Sequence, residues 1–232
     1  MGLTQNTGSA KQLEGSVYVI TFFVSEVDWP LGQKMDLFKQ IRDAESWLEH
    51  TASIYGKKLR FVNGVHGLFE PFDADVVPDY NSGHPTDMLA IKYLKLAGCP
   101  LNGYHEWVKK NSGCDQSLFL IIANSKGRGY ANCMSSEHAN NFPEGAILYH
   151  SSANPLYAGC IIHEILHLFG AADLYAVNDN MKEIDRQIEK MYPKEVMHRS
   201  HNPLRELMIS PLTAWLVGLT DKKEPWFDNF LL

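Results

Sequence analysis

The chain has 232 residues, 45% of them hydrophobic, enough to bury one substantial core in a single domain divided at most by a cleft. A formal charge of −6, a pI near 5.9 and the lack of any Lys/Arg cluster exclude nucleic acid as the main partner, because a phosphate-binding surface needs a basic excess. No apolar run approaches the roughly 20 residues needed to cross a bilayer, so a membrane partner is not expected either.

Residues 1–15 are polar and rich in Gly, Thr, Gln and Ser, and read as a flexible tail ahead of one domain over 16–232. They lack the apolar stretch of a secretory signal. The expectation is that the protein is not exported by that route, or that the chain begins after processing with an added Met1. The run Val17–Val24, β-branched and aromatic, predicts a buried first strand. Apolar residues at Met35, Phe38, Ile41, Trp47, Leu48 and Ile54 predict one long helix over Lys34–Tyr55, ending at Gly56. Lys58–Val62 reads as a second strand. Residues 65–116, punctuated by prolines and Gly83, read as an insertion around a short helix, Thr86–Leu96. Its histidines, His66, His84 and His105, have no partner at metal-binding spacing and read as surface residues.

Further strands are expected at Ser117–Ala123, Gly129–Asn132 and Ala146–His150. Beyond residue 173, Met181, Ile184, Ile188 and Met191 recur at helical spacing within Asn178–Met191, whose charged residues read as a solvated face. Pro211–Leu219 is a second apolar helix, and the aromatic tail with Trp226, Phe227 and Phe230 is expected to dock onto the domain. Cys99, Cys114, Cys133 and Cys160 permit two disulfides in three connectivities, and a Cys99–Cys114 bridge would close a short loop. None forms a Cys-x-x-Cys pair, so a structural zinc site has no support.

The chemistry concentrates in residues 163–173, His-Glu-Ile-Leu-His-Leu-Phe-Gly-Ala-Ala-Asp. On a helix, His163 and His167 lie on one face a turn apart and can offer two imidazole nitrogens to one ion. Gly170 can take a left-handed conformation, reverse the chain and return Asp173 as a third ligand. Three protein ligands leave a fourth tetrahedral position for water, the arrangement of a catalytic site, with Glu164 beside it as general base. In a chain of this composition His-Glu-x-x-His alone arises by chance about once in forty sequences, and with the Gly and Asp spacings about once in ten thousand. The surrounding Ile161, Ile162, Ile165, Leu166, Leu168 and Phe169 predict a helix buried in the core. Three ionisable groups there are costly unless something pairs with them.

His163, Glu164, His167 and Gly170 resemble the motif of the metzincin clan of zinc peptidases, with Asp173 where most members carry a third histidine. An aspartate there is similar to the small secreted bacterial peptidases of snapalysin type. The resemblance implies an α+β, metzincin-like zincin fold. A mixed twisted sheet and long helices would form an upper lobe over about 16–170, and a smaller, mainly helical lower lobe would occupy about 171–232. It implies one catalytic Zn2+, a peptide or protein substrate, a monomer, and a methionine in a tight turn beneath the metal. Glu195-Val196-Met197-His198 matches that turn, making Met197 the choice and Met208 the alternative. The fourth strand, Gly129, Tyr130, Ala131 and Asn132, would form the upper edge of the cleft and hold an extended peptide through its backbone. Some members use a tyrosine two residues after the turn methionine; Arg199 stands there, so no tyrosine is assigned that role.

The function expected is a zinc-dependent endopeptidase. Two rivals are a zinc-bound domain that captures peptides without hydrolysis, against which Glu164 argues, and an intracellular proteolytic toxin or effector, which the missing signal supports. The resemblance itself favours secretion.

Overall fold

The computed structural model describes residues 9–70, 92–100, 103–133, 144–176 and 181–230. Five runs form one sheet: β1 (Gly15–Val24), β2 (Leu59–His66), β3 (Gln116–Asn124), β4 (Tyr130–Asn132) and β5 (Gly145–His150), in the order β2-β1-β3-β5-β4. The first three pairings along that order are parallel, and β4 closes one edge antiparallel to β5. Parallel strands need cover on both faces. Val17, Val19, Phe23, Leu118, Leu120 and Ile122 face one apolar core, shared with Leu37, Ile41 and Leu48 of the long helix α1 (Leu31–Ile54). The alternating residues Ile20, Phe22, Val24, Phe119 and Ile121 face a second core with Tyr93, Leu94, Tyr104 and Val108. The fold is thus a mixed α+β arrangement around a five-stranded mixed sheet.

Several elements differ from the reading of the sequence. Helix α1 begins directly after Pro30, three residues earlier than expected, and its start adds little to the core, Leu31 and Met35 being exposed. Strand β2 runs four residues further, through Asn63-Gly64, a pair that resembles a turn. A Cβ on Gly64 would lie 2.2 Å from the Tyr18 hydroxyl, so the glycine makes room for the side chain of the neighbouring strand. Helix α2 (Tyr104–Ser112) was not expected. It is short and polar, buries only Tyr104 and Val108, and is bounded by Gly103 and Gly113, both left-handed. Of the expected Thr86–Leu96 helix, residues 92–96 are helical and the remainder lies outside the described residues, as does His84.

Residues 9–14, read as tail, lie against the body: Ala10 and Leu13 are fully buried, and the Leu13 N–H donates to the Val217 carbonyl at 2.8 Å. All four cysteines are free thiols, which corrects the Cys99–Cys114 bridge; burial pushes the Cys99 thiol up to about 11. The aromatic tail docks as expected through Trp226, stacked on Tyr192 at 5.9 Å, and Phe227, 5.4 Å from Trp215. Among the described residues no helix is long and apolar enough to cross a membrane.

Glu45 of α1 is fully buried. Its Oε2 pairs with Arg42 and accepts from Asn63 Nδ2 at 3.0 Å, while Oε1 has no partner among the described residues. Burial, outweighing these two partners, pushes its carboxyl up to about 7 from 4.5. The folded chain therefore holds this proton more tightly than the unfolded chain does. The resulting stabilisation is complete below pH 4.5 and is lost as pH rises through about 7, amounting to about 3 kcal/mol. Glu45→Gln is expected to raise Tm by several degrees at pH 8 and to leave it unchanged at pH 4, as read by calorimetry.

Candidate metal centre

Helix α3 (Ala158–Leu168) carries the two histidines and is buried along nearly all its length. It is tied to α1 by the Ala158 N–H donating to Gln40 Oε1 at 3.0 Å. At Gly159 the helix meets another segment so closely that a Cβ would lie 2.1 Å from the Ser200 carbonyl oxygen. The helix ends as the sequence predicts. Gly170 has φ 98°, the Ala171 N–H closes back onto the Leu166 carbonyl at 3.0 Å, and the reversed chain returns Asp173 toward the histidines.

His163, His167 and Asp173 form a buried to half-buried cluster whose atoms lie close enough together to coordinate one metal ion. The two Nε2 atoms are 3.1 Å apart, and Asp173 Oδ1 lies 3.2 Å from His163 Nε2 and 3.1 Å from His167 Nε2. The other ring nitrogens are engaged with backbone: His163 Nδ1 with the Val196 carbonyl at 3.3 Å, and His167 Nδ1 with the Ala171 carbonyl at 2.8 Å. A carbonyl only accepts, so each Nδ1 carries the proton and each neutral ring turns its Nε2 lone pair inward. Two lone pairs and a carboxylate oxygen then converge with no proton between them, an arrangement that calls for a cation. The donor set fits zinc. Three ligand atoms at about 2.0–2.1 Å from one ion at tetrahedral angles stand about 3.3 Å apart, close to the separations found. Burial lowers the His167 pKa, but the hydrogen bond and charge of Asp173 outweigh it and hold it above the ordinary value. Burial raises that of Asp173, and the two histidines more than reverse the effect.

Glu164 is buried beside this cluster. Burial is the leading effect on its carboxyl and holds the pKa above the usual range, and its Oε2 has no hydrogen-bond partner among the described residues. A Cβ on Gly129 would lie 3.0 Å from Glu164 Oε1, so edge strand β4 begins next to the carboxylate. Tyr130, Ala131 and Asn132 continue that edge, half-buried. Tyr175 stacks on His163 at 6.1 Å between centroids, and its hydroxyl accepts from Arg128 at 2.7 Å. Arg128, Gly129, His163, Glu164 and Tyr175 line a cleft of about 420 Å³, which reaches His198, Ser200 and His201.

Beneath the histidines runs the short helix α5 (Val196–Arg199), with Met197 fully buried and its carbonyl accepting from Leu174 at 3.2 Å. Buried Glu195 holds this segment: its carboxylate accepts from Met197 N and Thr213 Oγ1, each at 3.1 Å, and from Ser210 N. Met208 is 37% exposed. Arg199 forms an ion pair with Glu189 of helix α4 (Lys182–Met191). His66 stacks on Phe22 and His150 on Trp29, both away from the cluster, while His105 is a half-buried residue of α2. One polar pair at the cleft has no signature in the sequence. His198 Nε2 lies 2.5 Å from Asp185 Oδ1, and thirteen residues of separation across two helices carry no periodic signal.

No protein-family model matches the chain, and no curated protein does either.

Zinc titrated into metal-free protein is expected to bind one to one and raise Tm. Asp173→Ala should weaken that binding at least about 100-fold by isothermal calorimetry. Because a proton competes for the raised His167 nitrogen, affinity should fall as pH is lowered through its titration.

Proposed function

We propose that the chain is a zinc-dependent endopeptidase of metzincin type, with His163, His167 and Asp173 as ligands, Glu164 as general base and Met197 as the turn methionine. The observation that carries this reading is the convergence of three lone-pair donors beside a buried carboxylate, one oxygen of which has no partner among the described residues. A zinc ion held there supplies Lewis acidity toward water and toward a substrate carbonyl. Glu164 takes a proton from water as the peptide carbonyl is attacked, then delivers it to the departing amine. Burial suits it to both tasks, because a carboxyl that holds its proton more tightly is the stronger base and still a usable acid near neutral pH.

The edge strand binds the substrate. β4 is the outermost of the described strands, and in this reading an extended peptide adds beside Gly129, Tyr130, Ala131 and Asn132 through main-chain hydrogen bonds. Met197 is preferred to Met208 as the floor because it is fully buried next to the segment that supports His163. In this reading residues 16–170 form the upper lobe and 171–232 the lower, and the substrate is a peptide or protein cut by a monomer acting outside the cell. Arg199 is taken up by Glu189, so it is left out of the chemistry.

Glu164→Gln is expected to keep stoichiometric zinc and an unchanged Tm while lowering cleavage of denatured protein by about 10²–10⁴-fold. Wild-type protein that binds zinc yet leaves a broad peptide library uncut would establish the non-hydrolytic binding domain instead.

A further inference from the structure

His198 stands in the wall of the cleft that also holds His163 and Glu164, on the helix that carries Met197. Its side chain is 3% exposed, and its Nε2 is 2.5 Å from Oδ1 of Asp185. The hydrogen bond to His198 keeps the Asp185 carboxyl below its ordinary pKa, against a smaller opposing effect of burial. An ionised carboxylate donates nothing, so the proton in that bond belongs to Nε2. In the neutral ring the lone pair is then on Nδ1. This atom is shielded from solvent and has no hydrogen-bond partner among the described residues, the same condition as Glu164 Oε2 in the same wall.

The ring cannot readily turn to find a partner elsewhere. The other Asp185 oxygen accepts from the Ala176 N–H at 3.2 Å, so the carboxylate is fixed from two sides, and the Glu195 contacts fix the helix that carries the ring. A brace between Asp185 and α5 needs only the Nε2 bond. It gives no reason to bury a vacant acceptor, which structures avoid unless a ligand or water completes it.

We propose that His198, as the neutral ring, is a substrate-contacting residue whose Nδ1 accepts a hydrogen bond from a backbone N–H of the peptide seated in the cleft. The proposal rests on the peptidase reading above and adds a second recognition group on the wall that carries His198. A backbone donor is favoured because every peptide presents one at every position except proline, which suits a group whose direction is fixed. Ser200 and the exposed His201 line the same cleft beside it.

The test reads binding without cleavage, on zinc-loaded Glu164→Gln protein. The probe is a fluorescent octapeptide of the sequence best cut by wild type, or, if none is cut, the one best captured from a random library. Each backbone amide is N-methylated in turn. One methylation is expected to weaken binding about tenfold or more. In the E164Q/H198F double variant the unmethylated peptide should bind weaker by that same factor, and the methylation should cost nothing further. Equal losses in both proteins at every position would overturn the contact. If H198F fails to fold, 15N spectra of His198 in E164Q decide: the Nδ1 resonance moves on adding peptide if the contact exists, and an unmoved resonance overturns it. Peptide cleavage by wild type without this coupling would overturn the contact alone. Coupling in a protein whose wild type cuts nothing would leave the contact standing and overturn the peptidase.

Discussion

Two imidazole lone pairs and a carboxylate oxygen held about 3 Å apart repel one another, and much of the surrounding structure keeps them there. The carbonyls of Val196 and Ala171 set the tautomers, Gly170 turns the chain and Gly159 lets α3 settle against the segment around Ser200. Such a cluster is stable only when positive charge joins it. Without metal, a proton can take that place, and this is the physical meaning of the raised His167 and lowered Asp173 pKa values. A cation that displaces the proton binds groups already aligned, so little ordering remains to oppose it.

The polar stripe of α3 lies within a helix otherwise devoted to the core. That placement removes water from Glu164, which the charges around it only partly offset. The sheet contributes from the other side. Its parallel strands carry the bulk of the packing, and its antiparallel edge strand, at half burial, begins beside Glu164. Rigid support and the strand beside the carboxylate thus come from one sheet.

The sequence made the central strands legible because β1, β3 and β5 are continuous apolar runs buried on both faces, a pattern that length and β-branching separate from helix. The ligand cluster was legible because all three members fall within eleven residues governed by one helix and one turn. Helix α2 was not: with two buried residues in nine, its stability comes from the core against which Tyr104 and Val108 pack, which local periodicity does not reveal. The Asp185–His198 pair was hidden for a related reason. Asp185 sits on a helix whose other charges are exposed, and only the approach of α5 distinguishes it from a solvated residue. Residues 9–14 read as tail because their polar side chains outnumber Ala10 and Leu13, although those two are fully buried.

The buried Glu195 carboxylate links the segment under the histidines to Ser210 and Thr213, which follow it by fifteen and eighteen residues. During synthesis, a chain halted at residue 200 would contain His163, His167, Asp173 and Glu164, yet the segment beside His163 would lack two of the three groups that satisfy that carboxylate. Completion of the centre is therefore tied to the order in which the ribosome delivers the chain, and a nascent fragment carries the motif without the frame that holds it in shape.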